Sequence, residues 1–442
     1  MTSTLLALVV ALGMWTGLAR AVVGAPVYAF VLDAATIAFL LGACVVAWPR
    51  RRDLHAHPVD LLAATFVAFA VVEIFNPNVP SVLVGVEGFR KTAFTVAGYA
   101  IVRLTPGFDG ERFVRLVALG AIPALVWSIR QWLAPFGVEQ LIIDSSGVSS
   151  TSFHSGTVLR AFAPTASPFH LGILAGAVAI IAAVFRTPIR VWGTVALIAA
   201  FALGLSLTRA NIIATIVALA VVATVQVIRQ RRPWLVGAGV LIGALTVVVA
   251  LGAASSRPPY RVDPPPTAGA TQTPAAGATN GAGGDGGIAL PDPTKDKSLR
   301  FRFQFWEAQL NAFVDQPLIG YGTSAAADGF GRLYAGRDSV RFEPHSIYLK
   351  ILLEQGVIGA IVFGLLLLAL GFLAVRGQIR GTPFDLIALG VIVLLLVSGL
   401  TGPMLDAYPF NLFFWIIVGG VVSGAATGYA ARPSVPMAMP AR

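Results

Sequence analysis

Long apolar stretches follow one another along the chain, with few polar positions inside them. A helix of about 20 apolar residues crosses a bilayer. The runs are continuous rather than alternating, which is typical of membrane helices and not of barrel strands. The pattern predicts spans at 4–19, 27–48, 58–75, 87–104, 112–134, 168–185, 189–207, 210–228, 234–254, 344–375, 385–401 and 408–431. It therefore predicts an all-α polytopic membrane protein with about 12 transmembrane helices.

The longest connection between predicted spans covers 255–343 and has two parts. The first, 255–297, is rich in Pro, Gly, Ala and Thr, a composition that predicts disorder. The second carries apolar residues at helical spacing and ends at a Pro/Gly break, which predicts a short amphipathic helix over 299–313 inside an ordered segment, 298–322. The expected organisation is helices one to nine over 1–254, the loop, helices ten to twelve over 344–431, and a tail over 432–442.

The composition agrees with a membrane protein and excludes an ordinary soluble domain. Hydrophobic residues make up 56% of the chain and charged residues 12%, against about 25% charged in soluble proteins. A net charge of +10 would suit nucleic acid, but arginines between spans normally set topology, so no nucleic-acid partner is expected. Cys44 is the single cysteine, which excludes an intramolecular disulfide. The run 4–19 lacks a basic segment before it and predicts a span rather than a cleaved signal peptide.

Arginines cluster after every second predicted span and orient the chain. They lie at Arg50–Arg52, Arg103 and Arg112, Arg186 and Arg190, Arg229, Arg231 and Arg232, and Arg376 and Arg380. Because positive residues mark the cytoplasmic side, both termini are predicted to be cytoplasmic. The loop 255–343 is then outside the cytoplasmic membrane.

A few cations fall on the predicted outer side, where topology does not explain them. They are Arg90 and Lys91 at span four, Arg160 in VLRAFAPTASPFHLG, Arg209 in the turn SLTRAN, and Arg300 and Arg302 in the amphipathic helix. Arg20 is expected to reach lipid phosphate. A cation at or below the interface is costly and points to function. Because a guanidinium binds two phosphate oxygens at once, arginines that converge on an outer cavity would form a diphosphate site.

A histidine opens the segment PHSIYLKILLEQGVIG, residues 344–359, which we call the signature segment. In the predicted topology His345 lies at the outer mouth of span ten, on the same side as the unexplained arginines. A histidine near its usual pKa can accept a proton from a hydroxyl group. His154 and His170 are also on the outer side, and His170 is expected to be structural.

The signature segment resembles that of the O-antigen ligase and O-antigen polymerase superfamily, through His345, Ser346, Leu349, Gly356 and Gly359. The family's usual asparagine after the histidine is a serine here. The upstream segment RFQFWEAQLNAFVDQPLIGYG is similar to the family's Arg-x-x-x-Trp helix and its Gly-x-Gly turn. SLTRAN resembles its Ser/Thr-Arg turn, and VLRAFAPTASPFHLG matches more loosely. These matches align Arg302, Trp306, Arg209 and Arg160 with family positions, and the resemblance covers roughly residues 60–430.

The resemblance implies a GT-C-type glycosyltransferase with a polyprenyl-diphosphate-linked glycan donor, without a metal or other cofactor. It implies that Arg160, Arg209 and Arg302 hold the diphosphate and that His345 is the catalytic base. Arg90 and Lys91 are further candidates for the donor phosphates, and Trp306 and Tyr348 are candidates for sugar contact or for packing. The acceptor is a lipid, a glycan or a protein, so ligase and polymerase both stay open. Membrane lipid surrounds the site.

Three alternatives compete with this interpretation. A 12-helix secondary transporter would use acidic residues inside spans, where Asp33, Asp60 and Glu73 lie, but the chain shows no internal repeat. Enzymes that use polyprenyl-phosphate sugars resemble one another in an acidic pair in the first outer loop, and ARAVVGAP has no acid. Cell-wall glycan polymerases of the shape-and-division type expect an essential acid in the large outer loop, where Asp315 lies beside the arginine-tryptophan helix.

Overall fold

The computed structural model describes residues 2–50, 55–134, 136–146, 153–155, 158–185, 188–230, 234–255, 297–326, 345–377 and 381–430. Within these ranges the chain is mostly helical. The predicted disordered segment 255–297, apart from its two end residues, and the predicted tail 432–442 lie outside the described residues.

The helices of the first half, in chain order, are α1 Thr2–Gly13, α2 Thr16–Val23, α3 Ala25–Ala47, α4 Pro58–Val72, α5 Val82–Thr92, α6 Ala97–Leu104, α7 Gly110–Leu133 and α8 Gly137–Ser145. A two-residue hairpin follows, β1 His154–Ser155 antiparallel to β2 Val158–Leu159. The remaining helices are α9 Pro168–Val184, α10 Ile189–Leu205, α11 Arg209–Gln230, α12 Trp234–Ser255, α13 Lys297–Asp315, α14 Ile347–Gly377, α15 Pro383–Ser398 and α16 Phe410–Ala430. The predicted amphipathic helix over 299–313 is thus found as α13, two residues longer at each end.

Three of the apolar helices begin in the same way. A proline occupies the first turn of α4, α9 and α15, and the residue before it caps the helix: His57, Ser167 and Thr382. In each case the capping side chain accepts a hydrogen bond from a backbone N–H of the first turn. Since proline has no N–H to leave unpaired there, these sequences fix the start of each helix.

Five helices in the described part of the chain are long and apolar enough to cross a membrane: Phe30–Arg50, Pro58–Phe75, Gly110–Leu133, Arg209–Ile228 and Ile347–Gly377. The α1–α2 pair passes the same test together but is bent by 67°. Shorter apolar helices lie at Phe94–Leu104, Pro168–Val184, Ile189–Leu205, Gly239–Ala254, Pro383–Ser398 and Phe410–Ala425. The chain is therefore an all-α membrane protein with five to six candidate spans by length and composition. The total of 12 spans stays a prediction.

Two predicted spans differ from the structure. The run 4–19 forms two helices. The first ends at a turn, where the Met14 and Trp15 N–H groups donate to carbonyls three residues earlier and Thr16 Oγ1 donates to the Gly13 carbonyl. The run 87–104 is also divided, between α5, a 3₁₀ turn at Phe94–Val96 and α6. In both places hydropathy is continuous while the backbone changes direction, so the apolar pattern alone does not reveal the break.

The core is built around α9, whose residues are almost all buried. It packs against α7, α10, α11 and α15. Close approach depends on small residues, since a Cβ on Gly172 would lie 2.2 Å from Thr208 Oγ1 and one on Gly176 would lie 2.3 Å from Thr215 Oγ1. Small residues let helices approach closely where lipid supplies no hydrophobic drive for association.

Helix α14 is interrupted within its apolar region, and a loop forms hydrogen bonds with the backbone groups on either side of the interruption. Gly356 in α14 has φ 63° and ψ −165°. The loop 317–322 pairs with the freed backbone groups on either side of this break. Tyr321 and Gly322 N–H groups donate to the Leu353 and Glu354 carbonyls, and Val357 and Ile358 N–H groups donate to the Pro317 and Leu318 carbonyls, with N···O distances of 2.9, 2.9, 2.9 and 3.2 Å. This joint connects α13 to the signature segment.

Candidate active site

Arg160 is held by the backbone around it. Its N–H donates to the Phe153 carbonyl, and the next N–H, of Ala161, donates to the Leu205 carbonyl at the end of α10 (2.9 and 3.0 Å). The half-buried guanidinium donates through Nε to the Ser206 carbonyl at 2.9 Å. Arg160 is therefore fixed against the turn that leads into α11.

Arg209 is the first residue of α11, directly after that turn. The turn is tight: Leu207 has a positive φ of 51°, and the Ser206 and Thr208 hydroxyl groups lie 2.6 Å apart. Asn211 Nδ2 donates to the Phe169 carbonyl at 2.9 Å and ties the start of α11 to the start of α9. The predicted Ser/Thr-Arg turn thus places Arg209 close to the Arg160 segment.

Arg302 and Trp306 lie one turn apart on α13. The faces of α13 differ, since Phe303, Leu310 and Val314 are exposed while Gln309 is buried. The Trp306 indole N–H is buried without a hydrogen-bond partner among the described residues. Its ring makes an edge contact with Phe303 at 5.5 Å.

The charges of Arg302 and Arg209 act on Arg160. Burial, and to a smaller extent these two positive charges, lower the pKa of Arg160 to about 10. Arg160 still carries its charge at neutral pH. We call Arg160, Arg209 and Arg302 the arginine cluster. Cations gathered in this way generate a positive potential that favours an anion.

His345 lies at the same end of the helix bundle. Helices α11 and α15 are antiparallel, because a Cβ on Gly176 would meet Thr215 and Leu394, and one on Gly390 would approach Val222. The end of α15 near Ser398 is therefore the end at which α11 begins with Arg209. The Gly399 carbonyl accepts a hydrogen bond of 2.9 Å from the Ile347 N–H. His345 itself has a φ of 35°, a strained geometry of the kind found at functional sites.

The Tyr348 hydroxyl group makes a hydrogen bond within the protein. The hydroxyl donates to the Leu396 carbonyl at 2.8 Å. It joins the signature segment to α15 near the site. A role for the tyrosine ring in sugar contact stays a prediction, as it does for Trp306.

The other predicted phosphate ligands lie among different neighbours. Arg90 pairs with Asp33 on α3 at 3.5 Å, and Lys91 pairs with Glu87 on its own helix at 3.0 Å. Lys91 is also close enough to the Glu354 carboxyl group to act on it electrostatically. Neither is among the charges that act on Arg160. Their predicted contact with the donor phosphates stays a prediction.

Sequence reasoning missed a buried ionic group inside the signature segment. Lys350 is 1% exposed, and its Nζ lies 2.6 Å from both carboxylate oxygens of Asp406. Glu354, 0% exposed, lies 3.9 Å from the same nitrogen. The signal was available, since charges four residues apart in an apolar helix are costly unless they are paired. The partner, Asp406, was not predictable because it follows α15.

The acidic residues that a transporter would use inside its spans have structural partners. Asp60 receives Nε and Nη2 of Arg103 at 2.8 and 2.7 Å and caps α4 through the His57 N–H. Glu73 accepts from Asn76 Nδ2 at 2.7 Å, and Asp33 pairs with Arg90. His170, predicted to be structural, has Nδ1 3.0 Å from Ser167 Oγ. Among the described residues no group of three His, Cys, Asp or Glu is suited to hold a metal ion.

Comparison with known proteins agrees with the geometry. Residues 194–364 match the sequence model of the family described as O-antigen ligase. A comparison with curated proteins returns no significant match. The matched region contains Arg209, Arg302 and the signature segment, which are the parts that the fold brings to one end of the bundle. Residues 194–364 are therefore similar to the O-antigen ligase family, and this similarity covers less than half of the chain.

Proposed function

We propose that the protein transfers a glycan from a polyprenyl-diphosphate-linked donor to an acceptor hydroxyl group at the outer face of the cytoplasmic membrane. The observation that carries this proposal is the convergence of Arg160, Arg209 and Arg302 at the end of the bundle where His345 lies. A diphosphate needs cationic groups that donate hydrogen bonds to several of its oxygens, and an acceptor hydroxyl needs a base. Both are present at this end.

In the proposed reaction the arginine cluster binds the donor diphosphate. The bond between the anomeric carbon and the phosphate oxygen breaks, and negative charge grows on the leaving polyprenyl diphosphate. Guanidinium groups that are already fixed stabilise this charge with little reorganisation. The bond from Arg160 to the Ser206 carbonyl orients one of them before the donor binds.

His345 acts on the other substrate. It removes the proton from the acceptor hydroxyl while the oxygen forms a new bond to the anomeric carbon. Because the acceptor attacks opposite the leaving group, the configuration of that carbon inverts. Three guanidinium groups supply the positive charge that a divalent cation would otherwise bring, so we expect transfer to continue in EDTA.

The test is a transfer assay with purified protein in nanodiscs, a polyprenyl-diphosphate glycan and candidate acceptors. His345→Ala should lower the transfer rate about 10²–10⁴-fold, the usual contribution of a general base, while donor binding persists. Arg209→Ala should weaken donor binding. Arg190→Ala is the matched control, since Arg190 is exposed at the far end of α10.

Normal transfer by His345→Ala would remove the proposed base from the mechanism. Loss of wild-type transfer in EDTA would contradict the metal-free reaction. The product distinguishes a ligase from a polymerase: one glycan on the acceptor indicates a ligase, and a ladder of repeat units indicates a polymerase. Saturable uptake into sealed liposomes without transfer would support the transporter instead.

A further inference from the structure

The surroundings of α14 change at Gly356. Residues 345–356 are all buried or half-buried within the protein. After the break, one side of the helix is exposed and apolar, and we call it the α14 stripe: Val357, Ile358, Ile361, Leu365, Leu368, Phe372 and Val375. A contiguous exposed apolar surface marks contact with a membrane or a partner. Because α14 is long and apolar enough to span a bilayer, the stripe faces lipid.

The α14 stripe has the length of one hydrocarbon layer. It ends beside Arg376, in the last turn of α14, whose guanidinium lies 5.8 Å from the centre of the Phe372 ring. The segment 357–376 has about 20 residues and is about 30 Å long, which matches the apolar thickness of a bilayer. Since a cationic side chain at a helix end reaches the interface, Arg376 marks one boundary of the apolar layer and Gly356 marks the other.

The loop 317–322 lies at the boundary near the candidate active site, because its hydrogen bonds join it to α14 on both sides of the break. Leu318 and Ile319 are exposed, and the Leu318 carbonyl accepts a hydrogen bond from the N–H of Ile358 in the α14 stripe. Helix α13 ends at Asp315, just before this loop, and packs against α14. The lipid-facing surface therefore continues from α14 onto the segment that carries α13.

Helix α13 presents three different sides. The side that packs on the protein holds Gln309, which is buried, and Arg302 and Trp306, which are half-buried. The other two sides are exposed, an apolar one with Phe303, Leu310 and Val314 and a polar one with Glu307, Asn311 and Asp315. At about 100° per residue, the apolar side lies between the protein side and the polar side. This arrangement suits a helix that borders protein, an apolar medium and water at once.

We propose that α13 lies in the membrane interface at this end of the bundle, with Phe303, Leu310 and Val314 among lipid acyl chains. Helices with adjacent apolar and charged sides bind at the boundary between acyl chains and headgroups. The carboxylates of Glu307 and Asp315 then face water and stay hydrated. Acyl chains are the favoured occupant of the apolar side because this side is continuous, through the loop, with the α14 stripe.

Lipid contact gives α13 a role in the reaction, and this role rests on the proposed function. Arg302 lies on the protein side of α13, and its charge acts on Arg160. The diphosphate of a polyprenyl-linked donor lies at the level of the headgroups, because its chain is in the hydrocarbon. An interfacial α13 therefore holds Arg302 at the height at which the donor diphosphate arrives. The lipid contact itself does not depend on the identity of the donor.

Spin-label accessibility measures the lipid contact without turnover. In full-length Cys44→Ser protein in phosphatidylcholine nanodiscs, nitroxides are attached at Leu310→Cys and Val314→Cys, with Glu307→Cys and Asp315→Cys as matched controls from the polar side. Oxygen concentrates among acyl chains, whereas the nickel complex of ethylenediaminediacetate stays in water. The ratio of oxygen to nickel collisions should be at least about threefold higher at the two apolar positions than at the two acidic positions.

A label at Leu368→Cys, within the α14 stripe, provides the reference for the bilayer interior and should give a higher ratio than Leu310→Cys. Equal ratios on the apolar and polar sides of α13 would overturn the proposal. Low access of both reagents to Leu310→Cys would show that protein covers this side, and disulfide-linked dimers of the unlabelled variant would identify a second copy; either result rules out lipid contact. A loss of oxygen access on addition of dodecyl diphosphate would assign this side to the chain of the donor instead.

A transfer assay tests the role in the reaction separately. Val314→Asp places a charge among the acyl chains and should raise the KM for the donor by about threefold or more, while Asp315→Asn should leave it unchanged. Wild-type kinetics in Val314→Asp would remove the positioning of Arg302 and leave the lipid contact standing. A wild type without any transfer would refute the proposed function, and the accessibility result would still hold.

Discussion

Lys350 shows most clearly the free-energy cost of burying a charge. A lysine in an apolar helix is tolerated when its charge is paired, and here both oxygens of Asp406 lie 2.6 Å from its Nζ. Glu354 adds a second carboxyl group at 3.9 Å. The group joins the signature segment to the connection between α15 and α16, and so supports the segment that carries His345.

Replacing Lys350 by Met should destabilise the protein by about 3–5 kcal/mol, the usual effect of leaving one member of a buried pair without its partner. The change should appear as a lower melting temperature in detergent. The double variant Lys350→Met with Asp406→Leu should recover part of the loss, because it removes the uncompensated Asp406 charge. A single variant as stable as the wild type would show that the ion pair contributes little.

The candidate catalytic residues could be predicted, whereas their partners could not. Arg160, Arg209 and His345 stand out because they are polar groups at predicted helix ends that topology does not explain. Only the fold places Asp406 beside Lys350. A sequence shows which residues are costly, but the neighbour that offsets the cost depends on long-range packing.

At the scale of elements, the break in α14 is the most informative feature. Its φ of 63° and ψ of −165° belong to a region that is essentially restricted to glycine. A Cβ on Gly356 would lie 2.3 Å from the Leu318 carbonyl oxygen. Backbone groups freed in a membrane must find partners, and the loop 317–322 supplies them.

Gly356→Ala should therefore cost ~1–3 kcal/mol from backbone strain alone, with a further loss from the contact with Leu318. Thermal unfolding in detergent measures the sum. Gly364→Ala is the matched control on the same helix, since nothing lies within 4 Å of its added Cβ. That substitution should be neutral or stabilising by up to about 1 kcal/mol. Equal effects from the two substitutions would contradict the importance of the break.

Periodicity located most helices within a few residues but did not reveal this break. The hydropathy of 344–375 is continuous, and its partner loop is 30 or more residues earlier in the chain. The hairpin β1–β2 and the short helix α8 were also not predicted. They are small elements with long-range contacts: α8 packs against α2, and its Glu139 carboxylate accepts a hydrogen bond from the Trp127 indole on α7.

For the whole molecule, arginines of the predicted cytoplasmic and outer sides lie at opposite ends of the bundle. The Arg115 guanidinium lies 4.4 Å from the Phe185 ring at the end of α9, and Arg160 lies at the opposite end, beside Ser206. The predicted cytoplasmic and outer residues are thus at separate ends of the bundle. Which end faces the cytoplasm stays a prediction.

Labelling of single cysteines shows which end of the bundle faces the cytoplasm. In a Cys44→Ser background, Asp144→Cys on α8 should react with a membrane-impermeant maleimide in intact spheroplasts, because the positive-inside rule places α8 outside. Arg190→Cys should react after the membrane is opened. Both native residues are exposed, so access to solvent is comparable. The reverse pattern of labelling would falsify the predicted topology.

The joint between the loop 317–322 and α14 has a consequence for how the protein can vary. Its four hydrogen bonds connect main-chain atoms only, so they place no demand on the side chains of Leu318 or Ile319. The glycines keep the geometry, and the neighbouring positions are free to change their chemistry. Because Leu318 and Ile319 are exposed, substitutions there could change the surface of the loop without loosening the attachment that holds α13 in place.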